Sequence, residues 1–305
     1  MKEPVTSTGL AAECKLKERY VREWLGCMVA TQLVCLSDDD KYYIPETCKP
    51  HTATSFVSFL LPCLIENYEQ CIQCFKEDGP KGYNYSDKAG LMSWMSEEGR
   101  LRPQEFIEEE LFPLGIKKKD EITNVLDFGC GSGGIAFRLA EFLPNAKIYG
   151  VDIDKYAIQE AQKTRDAKNI NNTEFILVSS DQIGPENESW DLKFDWVIMF
   201  DVLHDLPDPE PCINSVKRVL KQNGVFTAYD TAVHSDHRKN IGNDESAMMY
   251  LISTMVCLPS SMSQEPAIGH GVGWGVENRA AWIKTKGFKI LNEETNPIIH
   301  CHKIE

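Results

Sequence analysis

The chain lacks any apolar run long enough to cross a bilayer, which takes about 20 residues as a helix; the nearest candidate, Phe56 to Ile65, is too short. It is also short of positive charge. Its 32 lysines and arginines stand against 46 aspartates and glutamates, for a formal net charge of −14. A surface this acidic repels phosphate backbones and disfavours a nucleic acid substrate. There is no charged-then-apolar opening either: MKEPVTSTGL is too polar for an export signal. Cys71 and Cys74 form a lone CxxC with no second pair, and a structural zinc site needs about four ligands. They read better as small apolar thiols on a partly buried helix. The 11 cysteines, an odd number spread over both halves, read as free thiols in a reducing, cytoplasmic compartment. No metal site is expected.

What is present suffices for a core. With 305 residues, 42% of them hydrophobic, the chain fits one large or two ordinary domains. Ser7 or Thr8 is placed to cap a short helix running to Lys15. A second helix is expected over Glu18–Leu33, where Val21, Trp24, Leu25, Met28, Val29 and Leu33 recur at helical spacing. An acidic turn, Ser37–Asp40, and a short strand, Lys41–Ile44, complete a winged-helix pattern that begins almost at the first residue. Residues 50–75 read as helical, 76–88 as a loop built on Gly79-Pro80-Lys81-Gly82, and 89–110 as helical again.

From Ile122 short apolar runs alternate with helix-length amphipathic stretches, the signature of βαβ units. Strands are expected at Asn124–Phe128, Lys147–Asp152, Glu174–Val178, Trp196–Phe200, Val225–Tyr229, Lys289–Asn292 and Ile299–Lys303. Helices are expected near Ile135–Phe142, Lys155–Lys168, Glu210–Leu220, Asp244–Met255 and Trp274–Thr285. The last two strands share only a short link, so they should form an antiparallel pair on an otherwise parallel sheet. His300 and His302 share one face of the final strand, with Cys301 on the other, and read as edge-strand surface. The fold class is α/β, with a mostly helical domain at 1–110 and the sheet domain at 111–305.

The sharpest segment is Val125-Leu-Asp-Phe-Gly-Cys-Gly-Ser-Gly-Gly134. An apolar strand ends in Asp127, then Gly129, Gly131 and Gly133 alternate around Cys130 and Ser132, and a helix begins. Glycines let a ligand approach the backbone, and amides at a helix start favour a polar or anionic group. The next strand ends at Asp152-Ile153, where a carboxylate can accept both ribose hydroxyl protons. Ser180-Asp181-Gln182 follows the third strand and is placed for an adenine edge. The motif alone is shared with dinucleotide binders. Asp127 separates the two readings: a carboxylate suits the ammonium of a methionine moiety and would repel a pyrophosphate. S-adenosylmethionine (SAM) is favoured.

These segments resemble the class I SAM-dependent methyltransferases from about Ile122 to Glu305. Asp127-x-Gly129-x-Gly131-x-Gly133 matches their first motif, Asp152 the acidic ribose position and Asp181 the adenine-side acid. Phe194-Asp195-Trp196-Val197-Ile198 and Leu220–Phe226 match the entries to the fourth and fifth strands. Glu18–Gly26, Met249–Pro259 and Gly269–Gly275 resemble a bacterial and animal methyltransferase group that carries an N-terminal winged helix. The resemblance implies a Rossmann-like, seven-stranded SAM-methyltransferase sheet and SAM as cofactor, with S-adenosylhomocysteine as product. It also implies a homodimer formed through a substrate-enclosing N-terminal domain, which is expected to be shortened here because members of the group usually carry one or more helices before the matching position.

Strand four ends in Phe200-Asp201, expected at the cofactor, followed by Val202-Leu203-His204-Asp205. Plant-type O-methyltransferases are similar here, and the likeness implies that His204 is a general base; Asp230 matches a carboxylate position that would orient it, with Glu277 a weaker candidate. Histidine suits the task because its ordinary pKa is near neutral. Tyr83, Tyr85, Trp94, His270 and Trp274 are the substrate-pocket candidates, because aromatic faces suit flat or cationic molecules. The reading is direct SN2 transfer of the SAM methyl group to an O, N or S atom of a small molecule, without metal or membrane. Two alternatives stay open: an enzyme acting on protein, and a SAM-binding regulatory protein with little turnover.

Overall fold

The computed structural model describes residues 4–30, 34–44, 64–84, 104–113, 117–178 and 189–304. The chain divides into two compact units, Met1–Phe59 and Leu60–Glu305, so the division expected after residue 110 falls inside the second. No helix among the described residues is long and apolar enough to cross a membrane.

In the first unit, helix α1 (Ser7–Cys14) is capped by Thr6, whose hydroxyl accepts the Gly9 amide at 3.1 Å; the expected caps, Ser7 and Thr8, lie inside the helix. Helix α2 spans Glu18–Ala30. Its buried residues Val21 and Leu25 pack with Ala11 and Val34, and Met28 and Val29 flank them. Trp24, expected on that face, is 52% exposed, because it sits at the margin of a stripe centred on Leu25. Leu33 lies outside the described residues. Strands β1 (Cys35–Leu36) and β2 (Tyr42–Tyr43) pair antiparallel around a turn in which Asp40 takes a left-handed φ of 56°. Val5 bridges to Tyr42. Two helices followed by a small β-wing is the expected winged-helix order.

The second unit holds a seven-stranded sheet: β3 (Asn124–Phe128), β4 (Lys147–Asp152), β5 (Thr173–Leu177), β6 (Phe194–Phe200), β7 (Leu220–Tyr229), β8 (Phe288–Ile290) and β9 (Ile298–Lys303), in the order β5-β4-β3-β6-β7-β9-β8. The first five run parallel; β9 is antiparallel to both β7 and β8. The final strand is thus inserted inside the sheet rather than at its edge. This buries His300, whose Nδ1 lies 2.9 Å from Thr227 Oγ1, and burial pushes its pKa down to about 4. The edge-surface expectation for His300 is corrected: an inserted strand has neighbours on both sides.

Strand residues alternate between two cores. Val125, Ile148, Trp196 and Ile198 face α3 (Gly134–Phe142) and α4 (Lys155–Lys168), whereas Leu126, Tyr149, Val197 and Met199 face α5 (Glu210–Val219) and α8 (Gly275–Thr285). Both faces are covered, so the strands read as continuous apolar runs. The lower end of the sheet is tied by Asp195. Its Oδ2 accepts the amides of Thr123 and Asn124, each at 3.0 Å, and the Thr123 hydroxyl at 2.8 Å; Lys221 reaches Oδ1 at 2.8 Å. Burial opposes ionisation of this carboxyl, but Lys221 and the three donors hold it below the usual carboxylate range.

Helices α6 (Asp244–Met255) and α7 (Cys257–Ser261) follow β7. Residues 64–74 are helical and lie against α6, with Cys71 Sγ 3.5 Å from the Thr254 carbonyl.

Candidate functional site

Two clusters gather at the carboxyl end of the parallel strands, where open α/β sheets bind ligands. The first is built on the β3–α3 turn. Gly129, Gly131 and Gly133 all have positive φ, of 76°, 53° and 86°. Two of them differ in purpose. A Cβ on Gly133 would come within 2.8 Å of the Phe175 ring, so that glycine permits close packing. A Cβ on Gly131 would meet nothing within 4 Å, so that backbone stands open for a ligand.

Asp127, at the tip of β3, is 1% exposed, and its Oδ2 has no hydrogen-bond partner. Burial, and then repulsion from Asp152, pushes its pKa up to about 7. A buried, unpaired carboxylate oxygen needs an explanation, and a cationic ligand group supplies one. Asp152 closes the other side. Its Oδ2 accepts the Gly131 amide at 2.8 Å and its Oδ1 the Asp154 amide at 2.8 Å, so it also fixes the shape of the glycine turn. Burial raises its pKa too. The Cys130 side chain is buried, and Ile153 stands 62% exposed beside the carboxylate. Ser180, Asp181 and Gln182 lie outside the described residues.

The second cluster lies beyond β6. Asp201 takes a left-handed φ of 53°, a strained conformation for a residue with a side chain, and its amide donates to the Tyr229 carbonyl at 3.0 Å. The chain then turns through Leu203–Asp205. His204 is 4% exposed, and both ring nitrogens meet carboxylates. Nδ1 is bonded to Asp230 Oδ1, at the end of β7, and Nε2 lies 3.1 Å from Asp205 Oδ1. Burial would lower the His204 pKa, but Asp230 and then Asp205 raise it well above the ordinary value.

Behind Asp230 stands Arg279 of α8, itself 2% exposed. Its Nη1 lies 3.5 Å from Asp230 Oδ2 and its Nη2 donates to the Pro297 carbonyl at 2.8 Å. Asp201 belongs with this group rather than with the glycine turn: it and His204 and Asp230 bring ligand atoms within 4.8 Å of one another. Cys257 completes the wall in the same way, grouped with His204 and Asp205. Its thiol is pushed up to about 12, by burial and then by Asp205.

The other expected residues divide clearly. Glu277 does not reach His204. It accepts from Ser235 N at 2.8 Å, meets His234 Nδ1 at 2.8 Å and pairs with Lys239 at 2.9 Å, staking the segment after β7 to α8. Tyr83 is spent on packing: its hydroxyl donates to the Met255 carbonyl at 2.6 Å and its amide to the Pro259 carbonyl at 3.1 Å. Tyr85 and Trp94 lie outside the described residues. Phe200 stacks on Tyr229 with centroids 4.2 Å apart, and Phe106 meets both edge-on.

His270 stacks on Trp274 at 3.9 Å and 7°, and its loop is hung beside the cluster by Gly271 N donating to the His204 carbonyl at 3.2 Å. Burial, and then the neighbouring His204 charge, lower the His270 pKa, so its ring stays neutral near pH 7. Arg279 and Cys257 were not foreseen, and Asp205, the second member of the His-Asp pair, had been given no role. Arg279 had left a signal, because it lies between Val276 and Ile283 on the buried stripe of a helix, where an arginine demands a partner.

Comparison with known proteins agrees with this geometry. A family model described as "Methyltransferase domain" matches residues 119–289, and one described as "Rv2258c-like winged HTH domain" matches residues 1–54. The chain is 24% identical to the sterol 24-C-methyltransferase erg6 of Schizosaccharomyces pombe over 75% of its own length and 56% of that protein's. It is 29% identical to the ubiquinone biosynthesis O-methyltransferase of Pasteurella multocida, over 44% of this chain and 57% of that one. It therefore spans little more than half the length of these curated relatives. Among solved structures, human N-acetylserotonin methyltransferase in complex with SAM superposes with a TM-score of 0.69 at 15% identity, over 100% of this chain and 89% of that one. An O-methyltransferase family protein from Burkholderia thailandensis gives 0.67 at 14% identity, over 99% and 89%. The chain belongs to the methyltransferase-domain family, with the class I SAM-dependent architecture and a winged-helix-type domain at its N-terminus.

Proposed function

We propose that this protein transfers the methyl group of SAM to a small-molecule acceptor, with His204 as the base that takes the acceptor's proton. The observation that carries the reading is the Asp205–His204–Asp230–Arg279 array, set at the same sheet end as the open Gly131 turn and the unpaired Asp127 oxygen. When bound, SAM supplies an electrophilic methyl carbon on a sulfonium. Asp127 would hold its ammonium group, Asp152 its ribose and Gly131 its carboxylate end. Ile153 would lie under the adenine.

Arg279 fixes Asp230, and Asp230 fixes the ring of His204, leaving Nε2 to work. An acceptor hydroxyl reaches Nε2 by displacing Asp205, which also removes one of the two carboxylates that hold the proton on the ring. The neutral His270–Trp274 stack gives a flat wall for an aromatic or conjugated acceptor. A hydroxyl acceptor fits the recurrence of O-methyl transfer in the names of the relatives. The net charge of −14 supports a small molecule over a nucleic acid. The nine free thiols among the described residues suit the cytosol. A homodimer through the N-terminal unit is part of this proposal.

The test is an acceptor screen that reads S-adenosylhomocysteine release, run on the protein and on His204→Ala. Turnover of one small acceptor, lost in the variant with SAM affinity kept, is the expected result. Equal turnover in both would remove His204 as the base and favour a nitrogen or thiolate acceptor.

A further inference from the structure

We propose that His204, Asp205 and Cys257 form a binding site for a thiophilic divalent cation, of which zinc is the representative. The three side chains offer one nitrogen, one oxygen and one sulfur ligand, with the ligand atoms within 4.8 Å of one another. A tetrahedral ion with bonds of about 2.0 Å to N and O and about 2.3 Å to S places its ligands about 3.3–3.5 Å apart. His204 Nε2 and Asp205 Oδ1 already stand 3.1 Å apart. Cys257 Sγ lies within 4.8 Å of both and must close on them by about an ångström to complete the third corner.

The surroundings match what a metal-ligating histidine requires. Such a histidine donates its other ring N–H to a carboxylate, which fixes the tautomer and aims the free lone pair. Here Nδ1 is bonded to Asp230, and Arg279 anchors Asp230 in turn. Nε2 is therefore the ring nitrogen left for an ion, beside Asp205, and the ion displaces its proton on binding. His204 is 4% and Cys257 9% exposed, so water competes weakly.

The donor set also selects the ion. Magnesium and calcium take oxygen ligands, whereas thiolate with imidazole suits zinc and its neighbours. Three protein ligands leave a fourth position open, as in catalytic zinc sites. The ligands come from two segments that the fold itself brings together, the turn after β6 and the first residue of α7. Cys257 has no place in the methyl-transfer reading, and this site gives it one.

Binding stands on these residues alone. Its consequence rests on the reading of His204 as base: an ion on Nε2 takes the lone pair that the acceptor proton needs, so the ion inhibits reversibly.

The test uses the full-length, reduced protein with cobalt and zinc as probes. One equivalent of cobalt should give tetrahedral d–d bands and a thiolate-to-cobalt charge-transfer band, both abolished by zinc. Cys257→Ser should remove the charge-transfer band and weaken zinc binding by about 100-fold or more. Cys14→Ser and Cys71→Ser, which change an exposed and a buried cysteine elsewhere, should leave both unchanged. Asp230→Asn, checked for folding by circular dichroism, should weaken zinc by about 10–100-fold. Zinc bound equally well by Cys257→Ser, or cobalt without the charge-transfer band, overturns the site. One zinc bound through Cys257 with turnover unaffected leaves the site standing and removes His204 as the base.

Discussion

Asp127 and His204 are both buried and ionisable, and both hold their protons more tightly than usual, which favours the neutral form of the carboxyl and the charged form of the imidazole. Burial, and then Asp152, raise the pKa of Asp127 to about 7, against the lowering effect of the Ala136 amide. Its proton must leave before it can pair with an ammonium group. SAM affinity should therefore rise by about eightfold between pH 6 and pH 7.5, as the ionised fraction grows from about 0.1 to about 0.75. Calorimetric titration at the two pH values checks this, and Asp127→Asn should bind weakly with no such slope. The same shift has a consequence for stability. A carboxyl raised in the folded state favours folding below its ordinary pKa, and that contribution is lost as pH rises through about 7. The melting temperature of the ligand-free protein should fall between pH 5 and pH 8, and saturating SAM should oppose the fall. His204 has two carboxylates instead of one, and its substitution should act on rate. His204→Ala is expected to lower kcat by about 10²–10⁴-fold with SAM affinity within about twofold of the native protein.

At the scale of elements, the glycine turn separates packing from function. Gly133→Ala drives a Cβ into Phe175 at a φ of 86°, and should cost about 1–3 kcal/mol in urea unfolding. Gly131→Ala meets open space and should cost about 1 kcal/mol of backbone strain while reducing SAM affinity by about tenfold. Asp195→Ala leaves the part-buried amides of Thr123 and Asn124 without their acceptor at the base of β3, and should cost about 1–3 kcal/mol. The βαβ alternation made these elements legible: all seven strands and the five helices expected after Ile122 occur close to their expected bounds, except that β7 begins at Leu220 and not at Val225. Helix bounds were sharp where a cap marked them, as at Asp154 before α4 and Asn243 before α6. The insertion of β9 between β7 and β8 was not legible. An antiparallel pair can add to a sheet by either member, and only the packing of His300 and Cys301 between strands decides which. Side-chain pairing was also hidden. Arg279 and Cys257 come from separate segments, and no spacing in the chain announces that they converge on His204 and its neighbour Asp205.

For the whole molecule, the acidic balance is the property that counts. At −14 the protein should show no measurable affinity for duplex DNA at about 150 mM salt, despite its winged-helix unit. A fluorescence polarisation titration with random-sequence duplex would show it. The central claim concerns where the methyl group goes. The most direct measurement supplies the purified protein with SAM carrying a trideuterated methyl group, together with a cell extract separated into small-molecule, protein and nucleic acid fractions. The account predicts label on a compound in the small-molecule fraction alone, and none with His204→Ala. Label on protein or nucleic acid, or no transfer to any fraction by a chain that binds SAM tightly, would contradict it.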